Sequence, residues 1–133
     1  MGIGGVIAFL VFARNKPQET QVLAVGLVVA ALIYVGFALT GRTNQIWIAI
    51  EVIGVVAYSL LAGFGLRYSN WWLMLGWLAH PVWDVGLHLS GQGRDFTPSG
   101  YAVACLSFDL LVAAYIAAAQ LKMFNLRKSN YEN

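Results

Sequence analysis

Charged residues and cysteines are scarce in this sequence of 133 residues. Asp, Glu, Lys and Arg make up 11% of the chain, whereas they make up about 25% of an average soluble domain. A single cysteine permits neither an internal disulfide nor a site with several thiolate ligands. The sequence also lacks a P-loop, a dinucleotide-binding fingerprint, an HExxH motif, a nucleophile elbow and a basic stripe for nucleic acid. These absences argue against a disulfide-stapled secreted module, a soluble enzyme and a nucleic-acid-binding protein.

Apolar residues, in contrast, account for 59% of the chain, and the mean hydropathy is +0.69. A chain this short has too little interior to bury so many apolar side chains, and a helix of about 20 apolar residues crosses a bilayer. The sequence therefore predicts an all-α integral membrane helical bundle that forms a single domain over residues 1–133. Four transmembrane helices are predicted at 22–39, 46–66, 71–89 and 101–121, and a short fifth helix is predicted at 2–13.

The basic residues predict the orientation of these helices. Two of them, Arg42 and Arg94, lie on one side of the alternating topology. The other six lie on the opposite side: Arg14, Lys16, Arg67, Lys122, Arg127 and Lys128. Because loops rich in Lys and Arg stay in the cytoplasm, we expect a multi-pass protein of the cell membrane with its C-terminus in the cytoplasm.

Five ionisable side chains interrupt the apolar spans: Glu51, His80, Asp84, His88 and Asp109. Such a group at the centre of a bilayer costs about 3 kcal/mol on insertion scales, so it usually faces the bundle interior and has a partner. At 1.5 Å per helical residue, all five lie within about 14 Å of the outer ends of three consecutive helices. We therefore expect them to converge in one pocket in the outer half of the membrane.

The spacing of His80, Asp84 and His88 predicts a metal site, because residues four apart share one face of a helix. His80 and His88 are about 12 Å apart along the axis, which makes ligation of one ion by both strained. Either a His–Asp pair is completed by Glu51 or Asp109, or two ions share Asp84. Imidazoles with carboxylates suit Zn²⁺, and Fe²⁺ or Mn²⁺ as alternatives. We take His80, Asp84, His88 and Asp109 as metal ligands, and Glu51 and Asp109 as catalytic residues.

Other interpretations of the same residues remain open. Polar side chains also hold membrane helices together by hydrogen bonds, which requires neither metal nor catalysis. Cys105 is interpreted as a small packing residue, with thiolate ligation as the alternative. Pro81 removes a helical hydrogen bond next to His80 and can widen a pocket there. Residues 90–100 have the Gly, Ser and Pro content of a loop, either a plain linker or a lid.

The motif around the histidines resembles a known family. Residues 76–88 read GWLAHPVWDVGLH, and they are followed by Thr97-Pro98-Ser99 and by the approach from Cys105 to Asp109. This pattern is similar to that of a bacterial family of small multi-pass membrane proteins known as domain of unknown function 6010. Phe108 departs from it, because a second cysteine is expected at that position. The resemblance implies the membrane class and the motif but no particular reaction.

A pocket of this kind predicts a metal-dependent intramembrane enzyme of hydrolase type. Surrounded by membrane lipids, such a pocket suits a lipid-like or isoprenoid substrate. A first alternative is proton or cation translocation, which commonly uses intramembrane Asp, Glu and His. A second alternative is an accessory structural subunit in which the polar cluster fixes helix packing. A symmetric homodimer is compatible with each of these functions.

Overall fold

The computed structural model describes residues 3–131, apart from the side chain of Tyr131. The predicted first helix starts at Gly2, which lies outside the described residues. The helices are α1 (Ile3–Arg14), α2 (Glu19–Thr40), α3 (Gln45–Arg67), α4 (Asn70–Trp83) and α5 (Ser99–Tyr131). A π-helix over Asp84–Leu89 continues α4 directly, and a short 3₁₀ helix covers Gln92–Asp95. Residues 3–131 contain no strand, so the predicted all-α class is confirmed.

Helices α2, α3 and α5 are each long and apolar enough to cross a membrane. They contain the predicted spans 22–39, 46–66 and 101–121, and α5 continues well beyond the last of these. Helix α1 is apolar but has only 12 residues. The structure departs most from the prediction at the span 71–89, which is not one α-helix. Helix α4 supplies 14 residues of this segment and the π-helix supplies six.

Short connections fix the antiparallel order of the central helices. The Asn44 side chain accepts a hydrogen bond of 3.1 Å from the Trp47 amide and so caps α3. The Ser69 hydroxyl accepts one of 3.3 Å from the Trp71 amide at the start of α4. The start of α3, the π-helix and the start of α5 consequently meet at one end of the bundle. We call this the loop end, because it carries residues 90–98.

The core between the helices is apolar away from the loop end. Helices α2, α3, α4 and α5 pack in chain order, and α1 packs against α2 and α5. The indole N–H of Trp77 donates a buried hydrogen bond of 3.2 Å to the carbonyl of Leu23, which ties α4 to α2. Gly76 lets the same two helices approach closely, since a Cβ there would lie 2.5 Å from Leu27 Cδ2. The site described below therefore adjoins a closely packed apolar core.

The turn between α3 and α4 yields a test of this packing. A Cβ at Gly65 would lie 2.8 Å from Leu73 Cβ and 3.2 Å from the Leu73 backbone nitrogen. We expect Gly65→Ala to lower the free energy of unfolding by about 1–2 kcal/mol, because overpacking outweighs the gain in helix propensity. The measurement is the midpoint of thermal unfolding in detergent.

Gly63→Ala is the matched control for this change. It lies on the same helix and has nothing within 4 Å of the added Cβ, so only the gain in helix propensity applies. A midpoint for Gly65→Ala equal to or above that of Gly63→Ala would contradict the close approach of α3 and α4.

Candidate metal site

The five ionisable residues predicted to face the bundle interior are all buried. The exposed fraction is 2% for Glu51 and 0% for His80, Asp84, His88 and Asp109. They lie on α3, α4, the π-helix and α5, toward the loop end. The ionisable groups are therefore shielded from the surroundings of the bundle.

Four side chains form a compact group that we call the HDCD group: His80, Asp84, Cys105 and Asp109. One ligand atom from each lies within 4.8 Å of the others. His80 Nδ1 shares a hydrogen bond of 2.7 Å with Asp109 Oδ2 and lies 3.7 Å from Asp84 Oδ1. Two neighbouring helices thus each present a pair of residues spaced four apart toward the same point.

His88 does not belong to the HDCD group, although it was predicted as a ligand beside His80 and Asp84. Its Nε2 lies 3.3 Å from Glu51 Oε1, and its Nδ1 shares a hydrogen bond of 3.2 Å with the Thr97 hydroxyl. The prediction assumed a regular α-helix, in which residues four apart stack. A π-helix has i→i+5 hydrogen bonds and a wider turn, so His88 is rotated away from the row of His80 and Asp84.

Cys105 lies in the HDCD group, although its position in the sequence favoured a packing role. Its side chain is buried, with 2% exposed. Cys105 and Asp109 are four residues apart on α5 and so share one face of the helix. This spacing alone does not distinguish a packing thiol from a ligand. Only the position of α5 relative to α4 places the sulfur beside the two carboxylates.

Glu51, predicted as a catalytic residue, lies with His88 rather than in the HDCD group. The Trp83 indole N–H donates a long hydrogen bond of 3.5 Å to Glu51 Oε2, while Oε1 faces His88. Gly54, one turn along α3, lies against the Trp83 ring, since a Cβ there would be 3.0 Å from Trp83 Cζ2. Glu51 is therefore held by Trp83 of α4 at one carboxylate oxygen and by His88 of the π-helix at the other.

Tyr34 connects the two sets of residues, and the sequence analysis missed it. Its ring stacks on that of His88 with centroids 4.2 Å apart and an angle of 18°. Its centroid is 5.7 Å from that of His80, and its hydroxyl lies beside Asp84. Tyr34 is the only side chain with a polar group in the stretch 22–39. This isolated hydroxyl in an apolar span was the signal that could have identified it.

Two further tyrosines border these residues. Tyr58 packs its edge against His80, with centroids 4.8 Å apart, so it borders the HDCD group. Tyr101 contacts the Tyr34 ring, with centroids 5.8 Å apart. Aromatic rings thus enclose the ionisable residues on several sides.

The loop between the π-helix and α5 closes the loop end over His88. Thr97 is 4% exposed and holds His88 Nδ1, while the Phe96 ring meets the imidazole edge-on at 5.8 Å. Gly93 allows this close approach, since a Cβ there would lie 2.7 Å from His88 Nδ1. Arg94 and Asp95 point outward and are exposed. Of the two interpretations of residues 90–100, this arrangement matches a cover better than a plain linker.

Eight buried polar atoms around these residues have no hydrogen-bond partner in the part of the chain that the structure describes. The atoms are Tyr34 Oη, Glu51 Oε1, His80 Nε2, both Asp84 carboxylate oxygens, His88 Nε2, Tyr101 Oη and Asp109 Oδ1. Folded proteins leave few such groups unpaired, and here they all belong to the site or its border. Two of these atoms, Glu51 Oε1 and His88 Nε2, lie 3.3 Å from each other, and four of the residues form a group that could hold a metal ion.

The donor set of the HDCD group fits a divalent metal ion. It offers an imidazole, two carboxylates and a thiol, all of which bind zinc at about 2.0–2.3 Å. Ligand atoms at the corners of such a tetrahedron lie about 3.3–3.8 Å apart, only slightly closer than the 4.8 Å limit observed here. The chemistry and the spacing of these four groups therefore fit a divalent ion.

The fold and the site together define an all-α protein with apolar, membrane-length helices and a buried His/Asp/Cys group at one end. Residues 1–121 match the family described as "Family of unknown function (DUF6010)". The chain belongs to this family, and the predicted resemblance is confirmed. Neither the curated proteins nor the solved structures include one that matches the chain.

The contact between Thr97 and His88 yields a prediction about the cover. We expect Thr97→Val to cost about 1–2 kcal/mol, because it leaves a buried imidazole nitrogen without its partner. Amide hydrogen exchange across residues 90–98 should then become faster. Thr97→Ser retains the hydroxyl and should stay close to the wild type. Equal exchange in all three proteins would show that this hydrogen bond does not hold the loop.

Proposed function

We propose that this protein is an integral membrane enzyme that binds a divalent metal ion in the HDCD group and hydrolyses a lipid-like or isoprenoid substrate. The observation that carries the proposal is the set of unpaired buried polar atoms around that group. Zn²⁺ suits the donors best, with Fe²⁺ or Mn²⁺ as alternatives. The metal would be held by His80, Asp84 and Asp109, with Cys105 as the fourth donor.

The proposal includes four transmembrane helices and a short fifth. Helix α4 and the π-helix together cover Asn70–Leu89 without a break, which corresponds to about 30 Å at 1.5 Å per residue. This length matches the hydrocarbon core of a bilayer. Helix α1 is the short fifth helix. The bias of the basic residues supports a loop end that faces outward and a C-terminus in the cytoplasm.

A metal explains the site better than hydrogen bonding between its own residues. His80 and Asp109 share one short hydrogen bond, but both oxygens of Asp84 remain unpaired among the described residues. An unpaired buried group costs about 1–3 kcal/mol, and more when it is charged. A network that only joined helices would be expected to satisfy Asp84, whereas a carboxylate that binds a cation keeps its oxygens available for the ion.

The site residues would divide the chemistry between them. A bound divalent ion polarises the substrate and activates water. Glu51 would act as general base, because Trp83 donates a hydrogen bond to its Oε2 while its Oε1 faces His88 Nε2 at 3.3 Å. His88 would orient Glu51 through this contact. Asp109 would bind the ion beside His80, whose Nδ1 lies 2.7 Å from Asp109 Oδ2.

The distribution of buried polar residues supports an enzyme over a proton or cation pathway. In residues 3–131 the buried polar side chains are Glu51, His80, Asp84, His88, Thr97 and Asp109. All of them lie toward the loop end, while the opposite half of the core is made of residues such as Leu23, Leu27 and Leu73. A conducting path would need polar groups through both halves.

Metal analysis of the purified protein tests the proposed ion. We expect about one divalent ion per chain in the wild type and almost none in Asp84→Asn, because the amide removes the ligand charge. Elemental analysis by mass spectrometry measures both. Asp95→Asn is the matched control: the same change at an exposed carboxylate in the loop should leave the metal content unchanged. Absence of metal from wild-type protein reconstituted with Zn²⁺, Fe²⁺ or Mn²⁺ would refute the proposal.

Replacement of the proposed base tests the reaction. We expect Glu51→Gln to retain its metal and to lose turnover by about 10²–10⁴-fold, the usual contribution of general acid–base catalysis. The nitrophenyl ester of a long-chain fatty acid, presented in mixed micelles, serves as the probe. If Glu51→Gln and the wild type hydrolyse it equally in a metal-dependent reaction, Glu51 is not the base. If the metal-loaded wild type leaves ester probes intact, the hydrolase assignment fails.

A further inference from the structure

A cavity of about 160 Å³ adjoins the HDCD group on the side away from Glu51. Cys105 and Asp109 form part of its wall, and most of the remaining wall is apolar. Phe9 of α1 reaches in from the opposite side, with its ring 5.4 Å from that of Phe108 and 6.2 Å from that of Trp77. An apolar cavity of about this size stays dry and binds a molecule as large as benzene.

A wider groove of about 480 Å³ continues from this cavity between α1 and α2. Phe9, Gly26 and Val29 line both spaces. The groove opens to the outside of the bundle and extends along α2 toward Gln18. It therefore runs from the HDCD group away from the loop end, over about 16 Å at 1.5 Å per residue between Val29 and Gln18.

Gly26 lies where the cavity and the groove meet. A Cβ at this position would be 2.7 Å from Phe9 Cζ and 3.3 Å from Trp77 Cζ2. Without a side chain, α2 leaves room for the Phe9 ring at the junction. The passage between the two spaces is consequently bounded by the Phe9 ring of α1 on one side and by Gly26 of α2 on the other.

We propose that this cavity and groove bind one hydrocarbon chain of a membrane lipid, with the polar group of the lipid beside Asp109 and Cys105. The cavity is polar beside Asp109, and the groove that continues from it is apolar from Val29 to Val22 and reaches Gln21 and Gln18 only at its far end. A polar group followed by a long apolar wall is the order of groups in a lipid whose headgroup lies toward the loop end. Asp109 is fully buried, and its Oδ1 has no partner among residues 3–131, so it can receive a hydrogen bond or a metal-bound group there. The inference rests on the proposed function only for the reaction of that polar group.

Photolabelling tests the position of the chain. The probe is a long-chain fatty alcohol with a photoactivatable diazirine in its tail, whose hydroxyl can donate to Asp109, and it is added to the protein in phosphatidylcholine vesicles. We expect the label at residues of α1 and α2 that border the groove, chiefly around Phe9 and Val25. A uniform label on the outward faces of α2, α3 and α5, in proportion to their exposure, would overturn the proposal.

Two substitutions on α2 make the test specific. Val29→Trp fills the junction of cavity and groove, whereas Leu32→Trp adds the same side chain outside both. Both positions are 48% exposed, so neither change overpacks the core. Displacement of about two methylene groups corresponds to about tenfold weaker binding. We therefore expect labelling to fall about tenfold in Val29→Trp and to change little in Leu32→Trp. Equal labelling of the two variants would contradict the proposal.

The labelling requires neither metal nor turnover, so its outcome is independent of the proposed reaction. Asp84→Asn should lose the metal and retain the label in the groove. If the label is specific but the wild type holds no metal, the groove binds a lipid and the hydrolase proposal fails. If the metal is present but the label is uniform, the hydrolase proposal stands and this groove is not its substrate site.

Discussion

The structure depends on the burial of ionisable groups within an otherwise apolar bundle. Moving a carboxylate from water to a medium of low dielectric is costly unless a partner compensates it. Here three carboxylates and two imidazoles are buried at one end. The His80–Asp109 hydrogen bond and the His88–Glu51 contact compensate part of this cost, and Asp84 carries the largest unmet share. The fold therefore brings groups that are costly to bury into one place, where four of them could hold a metal ion.

Two neighbouring clusters share this region instead of one mixed pocket. The HDCD group is built by α4, the first residue of the π-helix and α5, whereas Glu51 and His88 connect α3 to the later part of the π-helix. Tyr34 lies between them, stacked on His88 and beside Asp84. Its ring is 1% exposed, so it fills the space between the two clusters. This arrangement keeps Glu51 close to the HDCD group without making it a member.

Much of the site could be predicted from the sequence, because charged side chains in apolar helices usually face the bundle interior and pair with one another. The positions of Glu51, His80, Asp84, His88 and Asp109 along antiparallel helices sufficed to place them at one level. The role of His88 was not predictable in the same way, because the sequence does not reveal that the helix widens after Trp83. Cys105 and Tyr34 required the packing of whole helices, since each is an ordinary residue in its own segment. The fold class followed from composition, whereas the break of α4 into two helical forms did not.

The weak attachment of α1 has a consequence for how the interior is reached. This helix packs mainly against α2 and α5 and reaches α4 through Phe9 and Trp77, and it contributes none of the ionisable site residues. Its main anchor near the site is the Phe9 ring between Gly26, Trp77 and Phe108. A small outward swing of α1 would therefore enlarge the lateral opening while leaving the geometry of the polar residues intact. In this fold, the groove wall lies on α1 and α2, whereas the HDCD group lies on α4, the π-helix and α5. A change in the width of the groove therefore need not displace the ionisable residues.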